Sequence, residues 1–438
     1  MWRGMSIFSR VITVSVFLFS AIFAMASPEQ RALTAAELVG AYRGEPPSSF
    51  DSFFSSEEDR QIVQVEIHAV GIHETTARYS GREHPWYEVN NILRITTADG
   101  YEGVSGVDAY YKDGFSDALL VELKGAAEAL LQLGALDPVV VARLLGEKYP
   151  GLSDAARASI DIAMWDLAAR RAGLPLHKLL GSSRNSIAAY ASLPFYETLP
   201  EYLAAVAEYA AAGYSTFKFH TWGDIERDLQ LVRKVQERFA ETGYRFMVDL
   251  ESVYSLEEAQ RLGEQMDRGL FIWFEAPVDD RSLASYAELR RNLDLSIIPA
   301  GYNVYSQDFI REGIAQQAWD AARFDATVVG GITRALQLLM IADAAGMPVE
   351  FQSWGYSFTQ VVNLHLMLAN DRTEFFEAPM PSTPFEFGMN NGVLFQGGSA
   401  MPPAGAGLGI DVNWDGLAGA DFHRKAVVSS ARRGGKES

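Results

Sequence analysis

A parallel (β/α) barrel carried behind an α+β section is the fold class this sequence predicts, and three observations predict it. From Ile187 to about residue 378, short apolar runs alternate with amphipathic segments, the rhythm of successive βα units. Two of those runs, Tyr244-Arg-Phe-Met-Val-Asp249 and Leu270-Phe-Ile-Trp-Phe-Glu275, close on an acid. A strand that ends in a polar residue before a loop and helix delivers that side chain to the C-terminal mouth of such a barrel. Just upstream, Tyr214-Ser-Thr-Phe-Lys-Phe-His220 sets Lys218 and His220 two residues apart, on one face of a strand. If the three strands are consecutive, a basic pair and two acids converge on one cavity.

The remaining segments follow in chain order. Arg3 and Arg10 precede an apolar run from Val11 to Ala26 that ends in Ala24-Met-Ala26, the tripartite pattern of a secretory signal peptide cleaved before Ser27. The protein is therefore expected to be exported, to the periplasm, or cytoplasmic if the start codon is misplaced upstream. A lead-in segment (27–59) follows, with Pro46-Pro47 and Ser55-Ser56-Glu-Glu-Asp59. Gln61 to His68 alternates as a half-buried strand, and Asn91-Ile-Leu-Arg-Ile-Thr-Thr97 runs into a turn at Ala98-Asp-Gly100. Asp154 to Arg171 has apolar residues at helical spacing and Gly173 to stop it. The front section thus spans 60–185, the barrel 186–380, and a tail (381–438), irregular and rich in Gly and Pro from Gly397 to Gly409, packs back on the front section.

Composition narrows the function. A chain of 438 residues, 48% hydrophobic and 12% aromatic, can bury a large core. A formal charge of -19 without a Lys/Arg cluster argues against a nucleic-acid or anionic-membrane partner, whereas a small acidic substrate remains compatible. The absence of cysteine excludes disulfides, thiolate metal sites and a Cys nucleophile.

Several motifs together resemble the enolase superfamily in its mandelate racemase-like branch. They are Ser159-Ile-Asp-Ile-Ala-Met-Trp-Asp166, Gly173-Leu-Pro-Leu-His-Lys-Leu-Leu-Gly181, Lys218-Phe-His220, Asp249, Trp273-Phe-Glu275, Asp325 with Gly330-Gly-Ile-Thr333, and Gly407-Leu-Gly-Ile-Asp411. The resemblance runs from about 61 to 420. It implies an α+β capping domain over a modified (β/α)7β barrel, and a divalent metal, usually Mg2+, held by acids on three successive strands. Asp249 and Glu275 resemble the first two ligands. The third departs from the pattern: the chain reads Ile298-Pro-Ala-Gly-Tyr302-Asn303, so that either Asn303 serves, as an amide oxygen acceptable to Mg2+, or Tyr302 stands in the acid's place.

Lys218-Phe-His220 resembles the family's Lys-x-His motif, which implies His220 as the base that takes the proton next to a substrate carboxylate. With an ordinary pKa of about 6.5, it has a neutral fraction at pH 7. Lys218 would orient the carboxylate or share the proton work; the bland alternative is a buried His220 held by a backbone carbonyl, with Lys218 paired to a barrel acid. On the opposite face Asp325 matches, but Gln352 in Phe351-Gln352-Ser-Trp stands where the family places His. Gln cannot shuttle a proton, so Asp325 and Gln352 are left to bond each other or a substrate hydroxyl. Glu377 ends the last strand, either donating to the substrate carboxylate when protonated or closing the barrel by salt bridge. Residues of the capping loops, Arg78, Arg82, His84 and Trp86 with Tyr110-Tyr111-Lys112, are candidates to read the far end of a substrate. The expectation is a Mg2+-dependent lyase that dehydrates a sugar acid, with a racemase or a non-catalytic ligand-binding barrel as alternatives. A homo-oligomer is expected, with no nucleic-acid partner and no stable membrane association.

Overall fold

The computed structural model of the protein describes residue 40 and residues 61–78, 86–133, 137–266, 269–301 and 306–430. The expected signal peptide, all of the lead-in segment but residue 40, Arg82, His84, Tyr302 and Asn303 lie outside the described residues, as does the side chain of Arg78.

The capping section comprises β1 (Ile62–Gly71), α1 (His73–Arg78), β2 (Tyr87–Thr97), β3 (Glu102–Tyr111), α2 (Ala118–Leu133), α3 (Pro138–Lys148), α4 (Asp154–Arg171) and α5 (Leu176–Leu179). The barrel follows as β4 (Ile187–Leu193), α6 (Leu199–Ala211), β5 (Thr216–His220), α7 (Ile225–Phe239), β6 (Arg245–Asp249), α8 (Leu256–Gly263), β7 (Phe271–Glu275) and α9 (Leu283–Asn292). It continues through β8 (Ser296–Ile298), α10 (Gln307–Ala315), β9 (Ala322–Phe324), α11 (Ile332–Ala344), β10 (Val349–Phe351), α12 (Ser357–Leu368) and β11 (Phe375–Pro379). Among the described residues, eight strands joined through seven helices make the (β/α)7β barrel. The tail supplies β12 (Leu394–Gln396), β13 (Ser399–Met401) and β14 (Phe422–Ser429).

Local chemistry sets the helix starts. Asp224 accepts from the amides of Glu226 and Arg227 at the head of α7, Ser255 and Glu258 form a capping box on α8, and Ser153 caps α4. Gly173 adopts φ 65° just beyond α4, where its amide reaches the Arg170 carbonyl. That helix is buried along most of its length because it is wedged between cap and barrel. Gly103 of β3 lies so close to it that a Cβ would stand 2.2 Å from the Ala163 carbonyl oxygen. Toward the barrel, Asp161 accepts from the Thr333 amide (2.9 Å) and Trp165 Nε1 donates to Thr333 Oγ1 (2.9 Å). Asp166 accepts from the amides of Val104 (2.8 Å) and Leu408 (2.6 Å), tying cap sheet and tail to the same helix.

The tail does more than the sequence suggests. The hairpin β12–β13 turns at the head of its Gly/Pro-rich stretch, and β13 pairs antiparallel with the start of β4 on the barrel. Only afterwards does the chain return to the cap, where β14 completes a sheet of order β14-β1-β2-β3. Around the barrel, β11, β4, β5, β6, β7 and β8 are joined by parallel ladders, while β9 and β10 pair with each other. Side chains bridge the two seams. Asp320 accepts from the Ile297 amide beside β8, and Glu350 of β10 accepts from the amides of Glu374 and Phe375 at β11. Among the described residues no single helix is long and apolar enough to cross a membrane.

Candidate active site

Parallel register lines up the functional strand ends. His220 is the register partner of Asp249, Asp249 of Glu275, and Glu275 of Ile298. Alternation does the rest: Tyr190, Met247, Trp273, Ala321 and Phe375 each stand two residues before Ser192, Asp249, Glu275, Arg323 and Glu377, and so share their inward face. With Ile298 they form an apolar cluster apart from the main core, an aromatic floor inside the barrel on which the polar layer rests.

On that floor three carboxyls face two permanent cations. Lys218 Nζ lies 2.6 Å from Glu377 Oε1, 3.0 Å from Glu275 Oε2 and 3.3 Å from Asp249 Oδ2. Arg323 reaches Glu377 Oε2 (2.7 Å) and Glu275 Oε1 (3.0 Å) through one nitrogen, and donates its others to the carbonyls of Ala300 (3.3 Å) and Phe351 (3.2 Å). Ser192 Oγ donates to Glu377 Oε1 at 2.8 Å. Burial opposes ionisation of all three acids. At Asp249 the Lys218 ammonium and His220 outweigh it, and at Glu377 Lys218 and Arg323 do, so both carboxyls are held well below the usual range. At Glu275 burial wins, and its carboxyl is pushed up despite both cations.

His220 stands at the outer edge of this layer. Its Nδ1 is 2.6 Å from the Leu193 carbonyl, which can only accept, so Nδ1 carries a proton. The other nitrogen, Nε2, points at Asp249 Oδ2 at 3.3 Å. A neutral ring would set a lone pair against a carboxylate there. Burial favours that neutral ring, but the hydrogen bond and charge of Asp249 outweigh it and raise the pKa above 6.5. His220 therefore holds its proton more tightly at rest than its unperturbed value implies. The rings of Trp354 (centroids 5.0 Å apart) and Phe195 (5.7 Å) wall it in.

Several expectations need correction. Lys218 is paired with three barrel acids, and His220 rests on a backbone carbonyl, the arrangement of the bland alternative. Glu377 is an ionised salt-bridge partner and not a protonated donor, because two cations and the Ser192 hydroxyl surround it. Asp325 and Gln352 do not bond each other: Asp325 Oδ1 accepts from the Thr327 amide, the Thr327 hydroxyl and Asn363 Nδ2, while Gln352 Nε2 donates to the Trp354 carbonyl. Arg323 and Ser192 are central and were not anticipated. The signal for Arg323 is its parity with Asp325, two residues on in a short apolar run, which turns both inward.

Two domain models match the chain, "Mandelate racemase / muconate lactonizing enzyme, N-terminal domain" over residues 88–181 and "Enolase C-terminal domain-like" over 201–416. L-talarate/galactarate dehydratase from Salmonella typhimurium is 31% identical over 66% of this chain and 73% of its own length. The chain belongs to the mandelate racemase/muconate lactonizing enzyme family of the enolase superfamily. A solved structure of that family from Pseudovibrio sp. superposes with a TM-score of 0.79 at 31% identity, covering 84% of this chain and 99% of that one. The Salmonella dehydratase has been solved liganded with Mg and L-lyxarohydroxamate, and that chain matches with a TM-score of 0.70 at 25% identity, covering 84% and 95%.

Asp249 and Glu275 fit a hard divalent cation as a pair. They are adjacent strand-end carboxylates, and a single cationic atom, Lys218 Nζ, already lies within 3.3 Å of both. Among the described residues no group of three His, Asp or Glu is arranged to hold a metal; a third donor at Asn303 or Tyr302 falls outside them.

Proposed function

We propose that this family member removes the α-proton of a small hydroxy-carboxylate at the barrel mouth and expels the β-hydroxyl, dehydrating a sugar acid. The observation that carries the reading is His220 Nε2 at 3.3 Å from Asp249, with Glu275 in the next strand, which puts a base beside the carboxylates that would hold Mg2+. Mg2+, when bound, would supply Lewis acidity to the substrate carboxylate, which makes the neighbouring proton removable. Asp249 and Glu275 would hold it, with Asn303 proposed as the third donor.

The chain's own residues account for the proton path. Nδ1 of His220, fixed on the Leu193 carbonyl, leaves Nε2 as the nitrogen that takes the proton. The electron pair of the broken Cα–H bond forms the Cα–Cβ double bond, the Cβ–O bond breaks, and the same Nε2 proton leaves with the hydroxyl as water. The resulting enol becomes a 2-keto acid. One face suffices for this. The far side offers Gln352, an amide that moves no proton, and Asp325, already held by Thr327 and Asn363. Trp354 and Phe195 limit water around His220.

The test is a library of aldonic and aldaric acids with Mg2+ in D2O, followed by NMR for 2-keto-3-deoxy product and for α-deuterium. Dehydration of one epimer without inversion is expected. Absence of both 2-keto-3-deoxy product and α-exchange with every acid would sink the reading, and exchange with inversion would replace it by racemisation.

A further inference from the structure

Arg323 is the element of this site that the reaction does not use. It rises from β9 into the polar layer, its side chain 1% exposed, and its guanidinium cannot shed its charge. Glu275 Oε1 is 3.0 Å from Arg323, and Glu275 Oε2 is 3.0 Å from Lys218. Both oxygens of one of the two carboxylates suited to a metal are therefore already in ion pairs with fixed cations. Arg323 is not free to swing aside, because the Ala300 and Phe351 carbonyls and Glu377 hold its remaining donors.

We propose that Arg323 is a built-in counter-ion that competes with the divalent cation for Glu275, so that this barrel binds metal weakly and keeps its shape without it. The inference rests on the reading of Asp249 and Glu275 as cation ligands. A dication arriving there adds two charges beside Arg323 and Lys218, in a buried layer where like charges are poorly screened. Arg323 also does mechanical work that a metal would otherwise do. It holds the end of β7 and the middle of β11 together with the segment following β8 and the end of β10, across the seams that lack ladder bonds.

The test is direct binding of Mn2+, read by the loss of its free-ion EPR signal, on the full chain. Wild type is expected to bind with a Kd above about 1 mM, far weaker than carboxylate-rich sites built for such ions. Arg323→Gln and the less polar Arg323→Met are expected to tighten binding at least about tenfold, the effect of relieving one like-charge contact. Adding Asp249→Asn to either variant should abolish the gain. Wild-type binding in the micromolar range overturns the proposal while leaving the dehydratase reading intact. Folded neutral variants that bind no better overturn it too, and binding that ignores Asp249→Asn removes the metal from the proposed function as well. If neither neutral variant folds, wild type decides alone: the same urea midpoint in EDTA and in 10-fold excess Mg2+ over protein supports the proposal, and a clear rise with Mg2+ refutes it.

Discussion

Replacing Lys218 by Met tests whether the polar layer is held by its cations. The side chain is 1% exposed and touches Glu377, Glu275 and Asp249 within 3.3 Å. Burial works against the Glu377 carboxylate, yet Lys218 and Arg323 hold its pKa down to about 2 from 4.5. At 1.36 kcal/mol per unit that depression is about 3 kcal/mol of stability, in line with the roughly 3–5 kcal/mol lost when a buried pair is broken. Arg323 stays in the variant, so a loss of about 2–4 kcal/mol is expected at pH 7. The sign with pH follows from the depression. A carboxyl lowered in the folded state contributes fully above its unfolded pKa of 4.5 and loses that contribution as pH falls toward 2. The gap between wild type and Lys218→Met should therefore be steady from pH 8 to 6 and narrow below 4.5. Urea unfolding followed by tryptophan fluorescence at pH 8, 6 and 4 measures it. A gap below about 1 kcal/mol at neutral pH, the range of an exposed pair, would refute the argument, as would a gap that widens in acid.

Two further predictions concern histidines. His220→Asn should lower turnover by about 10²-fold or more with the fold intact; turnover unchanged in the folded variant contradicts this. His177 and His365 lie with Nδ1 atoms 2.9 Å apart in the joint between cap, barrel and tail, and burial pushes their pKa values down to about 4 and about 3. Histidines lowered on folding stabilise above 6.5 and lose that stability as pH falls, so wild type should lose about 1.4 kcal/mol per pH unit more than His365→Gln between pH 6.5 and 4; parallel unfolding curves for the two proteins would show that His365 is not buried neutral.

Legibility in the sequence followed charge and period. β6 and β7 were readable because each is an apolar run closed by an acid, and the Lys218/His220 parity held in the folded strand. The three-residue strands β8, β9 and β10 are too short to carry a period of their own, and it is there that the reading faltered. Arg323 resembles a surface residue until its parity with Asp325 is noticed. Asp325 found its partners in Thr327 and in Asn363 on α12, and no local pattern links residues 38 apart. The tail hairpin was hidden by Gly397 and Gly398, which read as loop but are the turn between β12 and β13, with φ 56° and 72°.

The edge strand β14 has a consequence for how this chain is made. Val428 pairs with Val65 and Phe422 with Gly71, across some 350 residues of intervening chain. While the barrel is being synthesised, β1 therefore waits with one row of amides and carbonyls unmatched, an edge open to any other extended segment nearby. Barrel units, whose strands pair with near neighbours, can assemble as they emerge, but the first sheet in the sequence is the last to be completed. A ribosome-bound chain truncated before Phe422 should carry an ordered barrel beneath an unfinished cap, and it is at that stage that two nascent copies run the greatest risk of pairing with each other.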